Sequence, residues 1–345
     1  MNRVCGAVMG ALIGDALGLG CHWYYDLAQL RSNYGEWIDG YTTPKSGHYH
    51  EGMQAGQLSQ TGLILVMLLE SVIECGSYVE DDFTRRLEQE LFVHLNGEAR
   101  YGPGGYTNQS IREAYKRRVL QHKSWRETGG HADTTEAAER AIVLAARYAK
   151  QPAQVAQHVA SNCRLTQSDA SIVAMSTAYN VVLSRLIAGE KLTPDLSEML
   201  MHLVQNGELP FHSVSQTPSL AVPDPSRQFP SPDALLTPHY VALAANDPGI
   251  VIEPAWKVSI VYGMPCAIYH QLPAAYYLAS RFCDNFEAAV LHAINGGGQN
   301  MSRAMLTGAL VGAQVGIEGI PERFIAGLEN GQKLLALATR LSEQA

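Results

Sequence analysis

Apolar residues along the chain recur at intervals of three and four rather than two, as Phe83, Leu87, Leu91, Phe92 and Leu95 do after Asp81 and Asp82, which stand where helix caps would. That spacing predicts an amphipathic helix. The same period marks residues 135–150, 168–188, 272–282, 285–294 and 321–341, the last with a proline in its first turn. β-Branched runs suited to short strands occur only at 250–252 and 258–261, and no alternation of strand with helix supports a parallel sheet. The pattern predicts an all-α, compact multi-helix bundle, read as a single domain over residues 1–345.

The period breaks between 208 and 238, where Pro210, Pro218, Pro223, Pro225, Pro230, Pro232 and Pro238 exclude a continuous helix or a central strand. Phe211, Leu220, Val222, Phe229 and Leu235 supply apolar anchors that a solvated linker would not need, so this stretch reads as a long loop wrapped over the domain. Two glycine ladders stand out elsewhere: Gly6, Gly10, Gly14 and Gly18, then Gly308, Gly312 and Gly316. A glycine within a helix costs about 0.8–1 kcal/mol relative to alanine, so the first ladder gives up roughly 3–4 kcal/mol unless close backbone packing offsets it. Both ladder helices are therefore expected in the crowded centre.

Composition narrows the function classes. With 345 residues, 46% hydrophobic and 17% charged, the chain has ample material for a core, which excludes intrinsic disorder. A net charge of −8, with no basic cluster denser than Lys116–Arg118, argues against nucleic acid as a partner and for a small molecule or a protein. The most apolar stretch, 4–21, carries Asp15 amid its glycines, a poor membrane span, and 22–25 are poor flanks for signal cleavage. The six cysteines include no Cys-x-x-Cys pair, which fits reduced thiols in a cytoplasm.

Polar residues gather in few places. Asp15 interrupts an otherwise apolar helix and reads either as a structural carboxylate capping nearby amides or as support for a pocket. His22-Trp23-Tyr24-Tyr25-Asp26 follows that helix; His48-Tyr49-His50-Glu51 leads into Gln57, Ser59, Gln60 and Thr61 ahead of another. Helix boundaries of this kind collect ligands as well as caps. The spacing of His48 and His50 suits a metal, a solvated loop or a stacking surface. Asn295-Gly296-Gly297-Gly298-Gln299-Asn300 opens the second ladder, and reads either as a flexible turn or as a place where amides approach an anion or a sugar hydroxyl. It lacks the lysine of a Walker loop and the strand of a dinucleotide fold.

The runs Gly10-Ala11-Leu12-Ile13-Gly14-Asp15-Ala16-Leu17-Gly18, Gly56 to Gly62, and Gly297 to Gly316 resemble the ADP-ribosylglycohydrolase family in order and spacing, and 22–26 resembles its J1-crystallin-like branch. The resemblance implies a compact all-α fold. It also implies two magnesium ions, held in the family by a Thr-Asp-Asp run and an Asp-x-Asp-Thr run. Here those places hold Ser59-Gln60-Thr61 and Gln299-Asn300-Met301-Ser302, so four carboxylates have become amide, hydroxyl or thioether groups. Magnesium wants anionic oxygen, so no metal and no cofactor is expected. His22 stands where the family has an acidic residue, and the family's Thr-His-x-Asp loop reads Thr166-Gln167-Ser168-Asp169.

A rewired site follows as the expectation: amides of Gln60, Gln299 and Asn300 bonding a ribose-like diol, Trp23 or Tyr24 stacking on a base, and a histidine exchanging protons. The first reading is metal-independent cleavage of an N- or O-glycosidic bond of a ribose- or ADP-ribose-containing compound, with His22, Asp26, His48, Glu51 and Asp169 as acid and base candidates. Asp15, Trp23, Tyr24, His50, Gln57, Ser59, Gln60, Thr61, Asn295, Gly297, Gly298, Gln299 and Asn300 are the binding candidates. The second is a non-catalytic ligand-binding or crystallin-like structural protein.

Overall fold

Helix starts in the computed structural model, which describes residues 1–211 and 232–345, repeatedly fall at side chains able to cap them. The chain runs α1 (Arg3–Leu19), α2 (Leu27–Tyr34), α3 (Gln60–Cys75), α4 (Glu80–Arg86), α5 (Gln109–Tyr115), α6 (Glu136–Arg140), α7 (Ile142–Arg147), α8 (Pro152–Arg164) and α9 (Ala170–Ile187). It continues through α10 (Pro194–Gln205), α11 (Thr237–Asn246), α12 (Val258–Tyr262), α13 (Ile268–Arg281), α14 (Phe286–Asn295), α15 (Asn300–Val315), α16 (Glu322–Gly327) and α17 (Gly331–Gln344). Among the described residues there is no strand, only isolated bridges at Gly130–Gln167 and Thr134–Ala267.

The glycine ladders meet. Helices α1 and α15 cross antiparallel at the centre, so that a Cβ on Gly6 would strike the Gly312 carbonyl, one on Gly10 the Gly308 carbonyl, and one on Gly14 the Ala304 carbonyl. At the end of the crossing, Gly18 lies against the Met301 backbone. Helices α13 and α14 pack on α15, and α3, α7 and α17 on α1, which leaves the pair buried along its length. One described helix, Ala170–Ile187, is long and apolar enough to cross a membrane, and most of it is buried within the fold.

Several expected elements are redrawn. The 135–150 helix breaks at Ala141 into α6 and α7, and the 321–341 helix breaks before Asn330, which takes a left-handed φ of 57°. Residues 258–261 are helical in α12, and 250–252 form no strand: the amides of Ile250 and Val251 donate to the Asp247 carbonyl and that of Ile252 to the Tyr277 hydroxyl rather than to a neighbouring strand. After α4, Leu87–Leu91 widen into a π-turn, while Val79 takes the N-cap and Asp81 and Asp82 fall in the first turn. Most of the proline-rich stretch, including Pro218, Leu220, Val222, Pro223, Pro225, Phe229 and Pro230, lies outside the described residues. At its ends Phe211 and Leu235 are buried, and Pro238 belongs to the first turn of α11, a position proline tolerates because its missing N–H would be unpaired there.

Candidate functional site

Where the α1–α15 crossing ends, the chain leaves α1 through Gly20 and turns back over the start of α15. Asn300 fixes that turn: its amide nitrogen donates to the Cys21 carbonyl and to Cys21 Sγ, each at 3.0 Å, and its Oδ1 accepts from His22 Nδ1 at 3.0 Å. The lone pair of His22 is therefore on Nε2. Trp23 adopts a left-handed φ of 59°, its amide donating to the Gly298 carbonyl at 3.1 Å and its indole N–H to Gln299 Oε1. Gln299 in turn donates to Ser302 Oγ at 2.8 Å.

The 48–51 segment folds onto the same place. The His22 ring stacks on Trp23, centroids 4.4 Å apart, and lies 5.4 Å from the ring of His50; Tyr49 and Tyr106 present edges to Trp23 at 4.4 and 4.6 Å. His50 is buried, and its Nδ1 donates to the Gly104 carbonyl at 3.0 Å, so its Nε2 is a buried acceptor that no protein group meets. Burial pushes the His50 pKa down to about 4; burial also holds His22 well below the usual histidine range, and His50 adds to that effect. Both imidazoles are neutral near pH 7.

At the start of α3 the Gln60 amide nitrogen donates to the Pro103 carbonyl at 3.2 Å and to Thr107 Oγ1 at 2.9 Å, which leaves its buried Oε1 unpaired. Thr61 Oγ1 accepts from Asn108 at 2.8 Å. Ser59 caps α3, and its hydroxyl and amide both donate to Asp15, at 2.6 and 2.8 Å. Burial raises the Asp15 pKa to about 6 despite those bonds.

The structure adds acids that the sequence did not single out. Glu139 on α6 is buried, accepts from Thr135 at 2.7 Å and has the Ser302 hydroxyl beside it; burial first, then the nearby Glu136, push its carboxyl up to about 8. Glu136 accepts from Ser110 at 2.9 Å and from Thr134, and burial raises it as well. The signal was faint: Glu136, Glu139 and Arg140 sit among alanines and apolar residues, with no polar face of their own. Tyr106, Thr107 and Asn108 were missed too, because only the folded turn before α5 brings them to Trp23, Gln60 and Thr61.

Other candidates are placed elsewhere or are already engaged. Asp26 and Asp169 are exposed N-caps of α2 and α9, each accepting from two first-turn amides. Exposed Glu51 accepts from Ser46 and the Gly47 amide, which lower its pKa, and Gln57 pairs with Glu329 at 3.0 Å. His48 stacks on buried Tyr24, centroids 4.3 Å apart, so Tyr24 has that face covered. Asn295 clamps the backbone of Ile38 through both of its amide atoms. Gly297 and Gly298 take left-handed φ values of 64° and 59°, and their amides are spent on the Ile294 and Tyr24 carbonyls. Buried Arg303 holds this loop from beneath, donating to Gly297 at 2.6 Å and to Ala293 at 3.0 Å.

These donors do not fit a pair of magnesium ions. Gln299 Oε1 accepts from Trp23, Thr61 Oγ1 accepts from Asn108, and Met301 offers a thioether where a hard cation needs anionic oxygen. Among the described residues no group of three or more His, Cys, Asp or Glu side chains is arranged to hold a metal.

Comparison with known proteins agrees with this architecture. An uncharacterized protein of Archaeoglobus fulgidus is 24% identical over 337 residues, covering 97% of this chain and 94% of its own. A solved structure described as an ADP-ribosylglycohydrolase-related protein complex superposes with a TM-score of 0.63 at 16% identity, covering 99% of this chain and 98% of that one, a likeness of fold. The sequence profile of the ADP-ribosylglycohydrolase family matches residues 1–345, and the chain belongs to that family.

Proposed function

We propose that this protein hydrolyses a glycosidic bond of a ribose- or ADP-ribose-containing compound without a metal ion, at a site whose magnesium-binding carboxylates have been replaced. One observation carries the reading: His50 Nε2 and Gln60 Oε1 are buried acceptors with no protein partner, on two side chains tied to the same 103–107 turn. Leaving such groups unpaired costs about 1–3 kcal/mol each, a cost that a bound hydroxyl removes. Gln299 and Asn300, expected to meet a diol, instead brace Trp23 and His22. Trp23, Tyr49 and Tyr106 remain as the aromatic surface for a base.

Hydrolysis adds one water across the bond: its oxygen joins the sugar carbon, its proton leaves, and the departing group takes the bonding electrons and a proton. A neutral imidazole, His22 or His50, accepts the first proton, and the protonated Glu139 beside Ser302 supplies the second. Asp26, Glu51 and Asp169 have no part in this scheme, being surface caps and loop braces. A non-catalytic ligand-binding role is favoured by how many polar groups of the site are already bonded to one another.

The two readings separate in one experiment. The protein, dialysed against a chelator, is incubated with a panel of ribosylated compounds and the products are read by mass spectrometry. Turnover that survives the chelator supports metal-independent hydrolysis; turnover restored only by added magnesium overturns it; saturable binding with no turnover on any member leaves the binder.

A further inference from the structure

We infer that Asn300 is a positioning residue, which makes His22 rather than His50 the base of the site by holding its ring with Nδ1 protonated and Nε2 bare. The inference rests on the hydrolysis proposed above, which leaves the choice between the two imidazoles open. What lies behind the Asn300 amide sets its orientation. One end meets the Cys21 carbonyl at 3.0 Å, an atom that can only accept, so that end is the nitrogen. The oxygen then faces His22 Nδ1 at 3.0 Å, and Nδ1 carries the proton. Both side chains are buried, and Trp23 stacks on the His22 ring, so the imidazole is held at its edge and on its face.

Asn300 supplies a bond without a charge. A carboxylate in its place would favour the doubly protonated ring, which has no lone pair to give. With an amide, burial first and His50 second keep the ring neutral at rest. The Asn300 bond works the other way, and it strengthens once Nε2 has taken a proton and the ring is positive. In that step an O–H bond of water breaks, its oxygen keeps the electron pair for the sugar carbon, and an N–H bond forms at Nε2. Asn300 and Ser302 both stand in the first turn of α15, and Ser302 lies beside Glu139, so base and acid are steadied from one helix turn. His50 hangs instead from the Gly104 carbonyl, on the turn that also holds Gln60, and serves with Gln60 as an acceptor for a ligand hydroxyl.

Long-range proton–nitrogen NMR spectra of the full-length protein with isotope-labelled histidine rings, near neutral pH, read the tautomer; the signals missing from His22→Ala identify His22. The unaltered protein is expected to show one form, protonated at Nδ1. Asn300→Ala or, should it not fold, Asn300→Ser is expected to show a mixture or the form protonated at Nε2. Nε2 protonated in the unaltered protein, or no change in the variant, overturns the inference. On any panel compound that the protein cleaves, the Asn300 variant is expected to lose kcat at least about tenfold with KM within about threefold, while His50→Leu chiefly raises KM. An unchanged kcat in the Asn300 variant, or a kcat loss in His50→Leu as large as in His22→Ala, overturns the choice of base. The expected tautomer without turnover on any compound sinks hydrolysis and keeps the hold of Asn300 on the ring, while turnover with the opposite tautomer keeps hydrolysis and sinks this inference.

Discussion

The middle and the end of one helix pair follow opposite rules. Along the α1–α15 crossing, glycine faces glycine and backbone touches backbone, with no side chain between Gly10 and Gly308. Just past Gly18 the turn that leaves α1 brings His22 into contact with Asn300 at the start of α15, followed by Trp23 on Gln299, and beside them His50 keeps a buried nitrogen unpaired. The first region gives up helix propensity for close approach; the second gives up hydrogen bonds. The two are coupled, since the closeness of the crossing decides where His22 meets Asn300, and each can be broken separately.

The largest effect is expected from Gly14→Leu. Its side chain would run into the Ala304 carbonyl and the Met305 amide, backbone atoms that cannot move aside without shifting α15. Overpacking of this kind costs about 3 kcal/mol or more at its upper end, and urea unfolding should show it as a lower midpoint. A loss below about 1 kcal/mol would mean that the crossing yields, and that the ladder is not what positions the site.

Next comes the response to pH, where the two kinds of buried group pull in opposite directions. Glu139 keeps its proton up to about 8 in the folded chain, so the folded state binds more protons than the unfolded one from the ordinary glutamate range upward; that stabilisation is whole at low pH and is lost as pH rises through about 8. Asp15 has the same sign over a narrower window, ending near 6. His50, lowered to about 4, and His22, held well below the ordinary histidine range by burial, bind fewer protons when folded, so their neutral burial costs stability as pH falls below 6.5. Thermal melts should therefore show Glu139→Gln flattening the alkaline loss and His50→Leu flattening the acid loss. Unchanged slopes in both variants would mean that these groups titrate as in the unfolded chain.

A smaller effect on stability, but a decisive one on function, is expected from His22→Ala. The substitution removes one hydrogen bond to Asn300 and the stacking on Trp23, worth about 1–2 kcal/mol together, and should leave a folded protein that no longer binds or turns over its ligand. Full retention of ligand binding would take the imidazole pair out of the site and leave Trp23 and Gln60 to account for it.

How much of this was legible in sequence depends on whether a residue's type implies its partner. Four glycines in one helix imply a close neighbour, because nothing else offsets their propensity, and the matching ladder at Gly308 and Gly312 supplied it. His22, Trp23, His50 and Gln60 were legible as a polar, aromatic cluster at helix ends; the three rings do meet, and Gln60 is tied to the same 103–107 turn as His50. Asn295, Gly297, Gly298, Gln299 and Asn300 looked like a ligand loop, yet amides bond equally well to protein, and here they bond to Ile38, Tyr24, Trp23 and His22. Glu136 and Glu139 were passed over because a carboxylate in a helical repeat ordinarily faces water, and only the packing of α6 against α3, α9 and α15 shows that these do not.

The smallest effects are expected at the two aspartates the sequence offered as acids or bases. Asp26 and Asp169 each accept from two amides in the first turn of a helix, Ala28 and Gln29 for the one, Ser171 and Ile172 for the other. Replacing an N-cap by alanine costs about 1 kcal/mol, because the freed amides fall back on water, which at these exposed ends is close at hand. Asp26→Ala and Asp169→Ala should thus lower the melting temperature slightly and leave ligand binding and any turnover untouched. Asp26 is the sharper test, since it lies only three residues from Trp23 and fraying of α2 could disturb the Tyr24–His48 stack. If Asp26→Ala lowers ligand affinity while Asp169→Ala does not, α2 belongs to the site as a brace; if both lower turnover at unchanged stability, their assignment as caps alone is wrong and the carboxylates return as candidates for the chemistry.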